Sequence, residues 1–188
     1  MPPPTDNELI AQTQKDCPAA RAAFAELVRR YSPALLRYLG NLLHRRDLAE
    51  DAAQEVFLAI WCHRARFDPG RGSFTAWMFT IARHRAYNQC RGGKHRQAET
   101  ALEMAPATQP GPHQELAVKE AYAALDRALE RLPFDQRSVF VLAEIQGFAM
   151  GEIAGIEGLP VGTVKSRLAR ARRKMKTRLK RIGDLLDE

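Results

Sequence analysis

From Lys165 to Arg181 the chain carries ten basic residues in seventeen and no acidic one, whereas residues 116–164 carry four basic against seven acidic. Val161, Val164, Leu168, Ala171, Met175 and Leu179 recur at helical spacing, which turns Gly162, Thr163, Ser166, Ala169, Arg170 and Arg173 to the other side. Small residues at the start of such a face let a backbone approach a major groove, and guanidinium groups further along reach base acceptors or phosphates. In front of it, Met150-Gly-Glu-Ile-Ala-Gly-Ile-Glu-Gly-Leu-Pro predicts a short helix, a turn at Gly158 and Pro160 in the first turn of the next helix. A charge run by itself is usually a solvated helix face. Joined to this turn chemistry it predicts a helix-turn-helix whose binding is steeply salt-dependent.

A second constellation spans Asp47-Leu-Ala-Glu-Asp-Ala-Ala-Gln-Glu-Val-Phe-Leu-Ala-Ile-Trp. Asp47 and Glu50 have capping-box spacing, and Ala49, Ala53, Val56 and Ile60 line a core side. Asp51, Gln54, Glu55 and Leu58 gather on another side, where acid around an exposed leucine suits a basic protein surface better than DNA. Ordinary solvated surface is the alternative there. Next comes Phe67-Asp-Pro-Gly-Arg-Gly-Ser-Phe, which lacks the Gly-Lys-Ser/Thr end and the preceding strand of a nucleotide-binding loop. It leads into a helix bearing Arg83, His84, Tyr87, Asn88 and Arg91. Aromatic, Arg and Asn side chains interleaved in this way stack on unpaired bases and read their edges. Trp77 and Ile81 share a face with Phe74 and Met78 and read as core.

These groups must be positioned by helices, because apolar residues recur at three- and four-residue steps and strands are suggested nowhere. The fold class expected is all-α, with two small helical domains joined by a flexible linker, the second containing the helix-turn-helix. Residues 6–92 form the first domain. Residues 93–115, opening on Gly93 just after Gly92 and containing Ala105-Pro-Ala-Thr-Gln-Pro-Gly-Pro, form the linker, and residues 116–188 the second domain. Gly147 is placed to end a helix running from Pro133. At 188 residues the chain has room for two modules that are each small for a self-sufficient core. A formal charge of +7 favours a polyanionic partner. No stretch is long and apolar enough to cross a bilayer and the start lacks signal-peptide character, so a cytoplasmic location without membrane insertion is expected. Cys17, Cys62 and Cys90 are too widely separated for a zinc site and read as small core residues. No cofactor, metal or catalytic centre is expected, since His44, His63, His84, His95 and His113 show no nucleophile or ligand pairing.

Taken in order, Ala49-Glu-Asp-Ala-Ala-Gln-Glu-Val-Phe, Phe67-Asp-Pro-Gly-Arg-Gly-Ser-Phe-Thr-Ala-Trp, Ile81-Ala-Arg, Leu132-Pro, Glu152-Ile-Ala and Pro160-Val-Gly-Thr-Val-Lys-Ser-Arg-Leu resemble the bacterial RNA polymerase sigma factors of the extracytoplasmic-function group. The resemblance spans most of residues 20–180. It implies a transcription initiation factor that binds core RNA polymerase and promoter DNA and is held inactive by an anti-sigma protein. Asp51, Gln54, Glu55 and Leu58 would grip the clamp helices. Phe67, Arg71, Phe74, Arg83, His84, Tyr87 and Asn88 would capture unpaired minus-ten bases. Thr163, Lys165, Ser166, Arg167, Arg170 and Arg173 would read the minus-thirty-five duplex, while apolar residues near Val139 to Ile145 meet the polymerase flap and the linker threads toward the active-site and exit channels.

Departures from that pattern are His84 for Asn, Arg85 for an apolar residue, Asn88 for Asp, and Ala149 for a hydroxyl cap, the last worth about 1 kcal/mol to its helix. A regulator that binds duplex DNA without polymerase, using the first domain as a sensor or dimerisation unit, is the rival reading. It predicts specific binding by the isolated chain.

Overall fold

A computed structural model of the chain describes residues 3–15, 18–92 and 112–186, with side-chain surroundings over 3–15, 18–91 and 121–180. The helices are α1 (Asp6–Thr13), α2 (Pro18–Leu43), α3 (Arg46–His63), α4 (Phe74–Gly92), α5 (Pro112–Glu130), α6 (Phe134–Phe140), α7 (Met150–Glu157) and α8 (Val161–Leu186). No strand occurs among the described residues. α6 runs on as a wider π-helical turn over Val141–Ile145. The expected linker lies outside the described residues up to 111, and α5 begins at Pro112, ahead of the boundary at 116.

Local chemistry sets the helix ends. Glu8 donates its amide to Thr5 Oγ1 at 3.3 Å while Glu8 Oε2 accepts the Thr5 amide at 2.7 Å, a reciprocal cap for α1. The box expected at Asp47 and Glu50 does not form: α3 starts at Arg46 behind Arg45, which makes no side-chain cap bond. Asp47 is paired with Arg45, and Glu50 with Arg46 at 2.8 Å. An adjacent guanidinium is a stronger partner for a carboxylate than a neutral amide. Gly147 and Gly158 take left-handed conformations, φ 75° and 65°. There Phe148 and Leu159 donate their amides back to Leu142 and Ala154, each at 3.0 Å, a closure that a Cβ disfavours. Pro160 falls just before α8, where its carbonyl accepts the Thr163 amide at 2.9 Å.

Leu27, Leu35, Leu39 and Leu42 of α2 are buried with Val56 and Ile60 of α3 and with Phe74, Met78 and Ala82 of α4. Leu129, Leu132, Val139, Leu142, Ile153, Ile156, Val164, Leu168, Ala171 and Met175 form the matching core of the second half. The two cores are continuous, because α2 and α4 pack on α6 and α7. Phe79 meets Phe148 edge-on with ring centroids 5.0 Å apart, and Tyr87 meets Phe134 at 5.4 Å. Neither half is large, and each buries apolar surface of the other that would otherwise face water. Two core assignments need correcting. Cys62 is exposed, since it lies two residues beyond buried Ile60 and so on the opposite side of α3, and Cys90 is half-buried; Cys17 lies outside the described residues. Val161 and Leu179, at the ends of the predicted apolar face of α8, are exposed as well, because the second domain is narrower than that helix.

Candidate nucleic-acid interface

On α3, burial of Ala49, Ala52, Ala53, Val56 and Ile60 leaves Asp51, Gln54, Glu55 and Leu58 together in water. Leu58 is 63% exposed, far more than any other large apolar side chain described. Glu55 meets Arg85 of α4 at 3.2 Å, with both side chains about half exposed. An isolated leucine flanked by carboxylates gains most by inserting into an apolar recess on a basic protein, where leucine and acid are satisfied together.

The loop from Phe67 to Phe74 is shaped by short 3-10 turns at Arg64–Arg66 and Pro69–Arg71 and by Asp68, whose Oδ1 accepts the Gly70 amide at 2.9 Å. The end of α1 holds its base: Gln14 Nε2 donates to the carbonyls of Arg64 and Phe67, both at 2.9 Å, and Arg64 Nε donates to the Thr13 carbonyl at 2.7 Å. Phe67 and Phe74 are buried. Phe67 packs on Trp77 at 5.3 Å, and Phe74 on Tyr31 at 5.4 Å. These two rings support the loop from beneath, while Arg71 is exposed on it. A recess of about 690 Å³ opens between the loop and Thr5, Asp6 and Asn7. Further along α4, His84 and Asn88 stand exposed one turn apart.

On α8, Lys165, Ser166, Arg170 and Arg173 are exposed and Thr163 is half-buried. Among the described residues neither Arg170 nor Arg173 forms an ion pair, so their guanidinium groups remain available to phosphates. Val139, Val141 and Leu142, expected to offer an apolar surface, are instead core, because α6 packs on α8 and the π-helical turn on α2 and α7; Phe140, Ala143 and Ile145 are half-buried.

Arg83, Tyr87 and Arg167 occupy a different situation. Arg83 and Arg167 meet in a seam between α4, α6, α7 and α8 around Glu157, whose side chain is 0% exposed, and Tyr87 lies at its edge, exposed on one side and against Phe134 on the other. Arg83 Nε lies 2.9 Å and Arg167 NH1 3.7 Å from Glu157 Oε2. Asp135 reaches both arginines from its two oxygens, 3.5 Å to Arg83 and 3.3 Å to Arg167. Ser138 donates to Glu157 Oε1 at 2.6 Å and is bonded in turn to the hydroxyl of fully buried Tyr38, 2.9 Å away. Burial pushes the Glu157 carboxyl above its ordinary range, opposed by the Ser138 bond and by Arg83. It also raises the Tyr38 phenol. A second polar contact joins His44 of the α2–α3 turn to Arg137 of α6. Burial, then the charge of Arg137, lowers the His44 imidazole to about 3. Sequence reasoning missed Glu157. Its signal was a carboxylate at i+4 from Ile153, on the apolar side of a short helix.

Residues 27–96 match the family described as Sigma-70 region 2, and residues 122–175 that described as Sigma-70, region 4. The chain is 36% identical over 148 residues to the ECF RNA polymerase sigma factor RpoE of Cereibacter sphaeroides, covering 78% of this chain and 81% of that one. It is 32% identical over 183 residues to the RNA polymerase sigma factor CnrH of Cupriavidus metallidurans, covering 93% and 94%. Among solved structures it resembles CnrH in complex with the cytosolic domain of CnrY, with a TM-score of 0.69 and 28% identity over 93% of this chain and 97% of that one. It also resembles the sigma factor RpoE of Bartonella quintana in complex with the anti-sigma factor NepR, at the same TM-score and identity, over 84% and 96%.

Proposed function

Because the chain belongs to the extracytoplasmic-function sigma factors, transcription initiation factors that bind core RNA polymerase and direct it to promoters, we propose how its surfaces divide that work. Residues 6–92 act as the region 2 unit and residues 116–188 as the region 4 unit. Asp51, Gln54, Glu55 and Leu58 grip the clamp helices of the polymerase. Arg71 on the loop, with His84, Asn88, Arg83 and Tyr87 on α4, captures unpaired minus-ten bases, and buried Phe67 and Phe74 hold the loop in shape for it. Thr163, Lys165, Ser166, Arg167, Arg170 and Arg173 read the minus-thirty-five duplex.

The observation that carries this reading is the coexistence in one chain of an exposed acidic face around Leu58 and an exposed basic face on α8 behind a helix-turn-helix. One fits a protein machine and the other a polyanion. Extruding a base costs a few kcal/mol, and each stacked base returns about 1–3 kcal/mol. Binding energy therefore suffices to open the template, the polymerase supplies the bond-forming chemistry, and the chain needs no catalytic centre of its own. No described helix is long and apolar enough to cross a membrane. We place the protein with polymerase in the cytoplasm. The relatives seated against CnrY and NepR support control of this chain by an anti-sigma protein.

In vitro transcription with core enzyme, on promoters selected from random DNA by the reconstituted holoenzyme, tests the reading. Initiation at a defined start only when both components are present is expected. Specific duplex binding by the chain alone, with no stimulation of core, would establish the rival regulator instead.

A further inference from the structure

We propose that α1 is the positioning element of the loop from Phe67 to Phe74, and that the side-chain amide of Gln14 sets the width of the recess into which that loop draws one unpaired base. The inference rests on the function proposed above. α1 lies ahead of residues 27–96, the stretch that matches region 2, yet it packs on α2 and α4 with Leu9, Ile10 and Thr13 buried. In front, Asp6 accepts from Arg30 at 2.6 Å and from the hydroxyl of Tyr31, whose ring packs on Phe74 at the far end of the loop. At the rear, just past Thr13, both donors of the Gln14 amide are spent on the root of the loop, one on the Arg64 carbonyl and one on that of Phe67. Arg64 answers with Nε on the Thr13 carbonyl. It is itself held by the Trp61 carbonyl at 2.6 Å and by the Trp61 ring, whose centroid lies 4.1 Å from its guanidinium carbon.

The loop has little stiffness of its own around Arg71. Gly70 and Gly72 flank that residue, and Gly72 sits at φ 153° and ψ 174°, a conformation that glycine alone adopts readily. Phe67 and Phe74 fix how deep the two ends of the loop sit. Neither fixes how far its tip stands from α1. That distance is the width of the recess, since Thr5, Asp6 and Asn7 form one wall and residues 69–74 the other. Gln14 and Arg64 govern it from outside the recess, through backbone carbonyls, and touch no base themselves. A loop already held in its bound shape spares capture the cost of ordering it. A purely structural role fits these bonds poorly. Gln14 is exposed, and water replaces a hydrogen bond lost there at little cost to folding, whereas the same loss lets a glycine-hinged loop swing.

Gln14→Met keeps the length of the stem and removes both donors. The full chain carrying it is assembled with core polymerase and compared with wild type on the selected promoter and on copies with each minus-ten base exchanged in turn, transcript yield being measured. Discrimination at the one position that the loop captures should fall by about tenfold or more. Positions read by His84 and Asn88 should keep theirs, and affinity for core enzyme and the urea midpoint should match wild type. Gln14→Lys, which returns donors on a stem long enough to reach the same carbonyls, should restore what Gln14→Met loses. Undiminished discrimination, an equal loss at every position, or a loss that Gln14→Lys leaves in place overturns the inference. Arg71→Ala on the same promoters reads the underlying function. If it flattens no position, the loop takes no base and the function proposed above fails at that surface, taking the role of α1 with it; if it flattens one that Gln14→Met leaves sharp, the role of α1 alone fails.

Discussion

The outer face of α3 and the seam beside α4 are built from the same kinds of charged side chain in opposite circumstances. Asp51 and Glu55 stand in water, where an ionised carboxylate costs nothing to maintain and an ion pair such as Glu55 with Arg85 adds little. Glu157 is sealed in: burial raises its carboxyl, and the bond from Ser138 and the charge of Arg83 oppose that shift. The first surface is available as folded. The second is committed to a partner within the chain. Charge reversal on the open face should therefore change what the protein binds and leave its folding alone, whereas loss of charge in the seam should change folding first.

The largest effect expected is that of Arg83→Met. It leaves Glu157 beside Arg167 alone, at 3.7 Å, and removing one partner of a buried pair typically costs about 3–5 kcal/mol. The carboxyl, already pushed up by burial, escapes part of that cost by taking up a proton. A carboxyl whose folded pKa is raised favours the folded state at low pH and loses that advantage as pH rises, so the deficit should grow between pH 5 and 8. Urea unfolding of both proteins across that range measures it. Equal stabilities at every pH would mean that the seam does not form in solution.

Glu55→Lys tests the open face. Reversing a carboxylate that meets a basic partner is expected to cost about 3 kcal/mol, on the order of 100-fold in affinity for core polymerase. The urea midpoint should not move, because Glu55 is about half exposed and holds only Arg85. Competition against labelled wild-type chain reads the affinity, and an unaltered value removes α3 from the docking surface.

Next in size comes acid sensitivity of the second contact across the halves. His44 has a folded pKa of about 3 against the ordinary 6.5. Above pH 6.5 both states hold it neutral and it contributes no slope. Below that, the unfolded chain binds a proton that the folded chain refuses, and stability falls by up to about 1.4 kcal/mol per pH unit, or roughly 2 kcal/mol at pH 5. Arg137 of α6 is the charge that faces the ring, and half-buried Cys90 and exposed Glu130 in turn bear on Arg137. His44→Asn keeps a residue that tolerates the left-handed backbone there, φ 54°, and should flatten the slope. Glu157, which runs the opposite way, is common to both proteins and cancels. Parallel pH profiles for the two would show that His44 is not buried against Arg137.

Arg170→Ala is expected to weaken binding of the upstream duplex by about 1–3 kcal/mol, with no change in compactness, since Arg170 is exposed on the outer side of α8. An unaffected footprint would turn that side chain away from DNA.

What the sequence made legible was whatever periodicity and turn chemistry control. The buried side of α3, the exposed basic side of α8, and the turns at Gly147 and Gly158 could all be placed in advance, because each depends on residues within a few positions of one another. Phe67 and Phe74 join the minus-ten set only through the family resemblance. Their burial depends on Tyr31 and Trp77 and on the clamp from Gln14, which no local pattern encodes. The packing of the halves was illegible for the same reason. Tyr38 and Ser138 are separated by a hundred positions, and nothing in either neighbourhood announces the other. Asp47 failed differently: its cap spacing was correct, but arginines at 45 and 46 compete locally for the same carboxylates.

The smallest effect expected concerns the helix that brings Glu157 to the seam. α7 is only 8 residues long and carries half a cap: Glu152 Oε2 accepts the Ala149 amide at 3.0 Å, but Ala149 has no oxygen to receive an amide in return. Ala149→Ser completes the box at a backbone conformation already extended, φ −68° and ψ 152°, and should stabilise the protein by about 1 kcal/mol. In a chain of this size that raises the unfolding midpoint by roughly 2–4 °C. Because α7 belongs to both the second core and the seam, a firmer first turn steadies both, while Glu55 and Leu58 on α3 are out of its reach and binding of core polymerase should not change. Calorimetry reads the midpoint, and one that does not rise at all would mean that the first turn of α7 is frayed whichever residue precedes it.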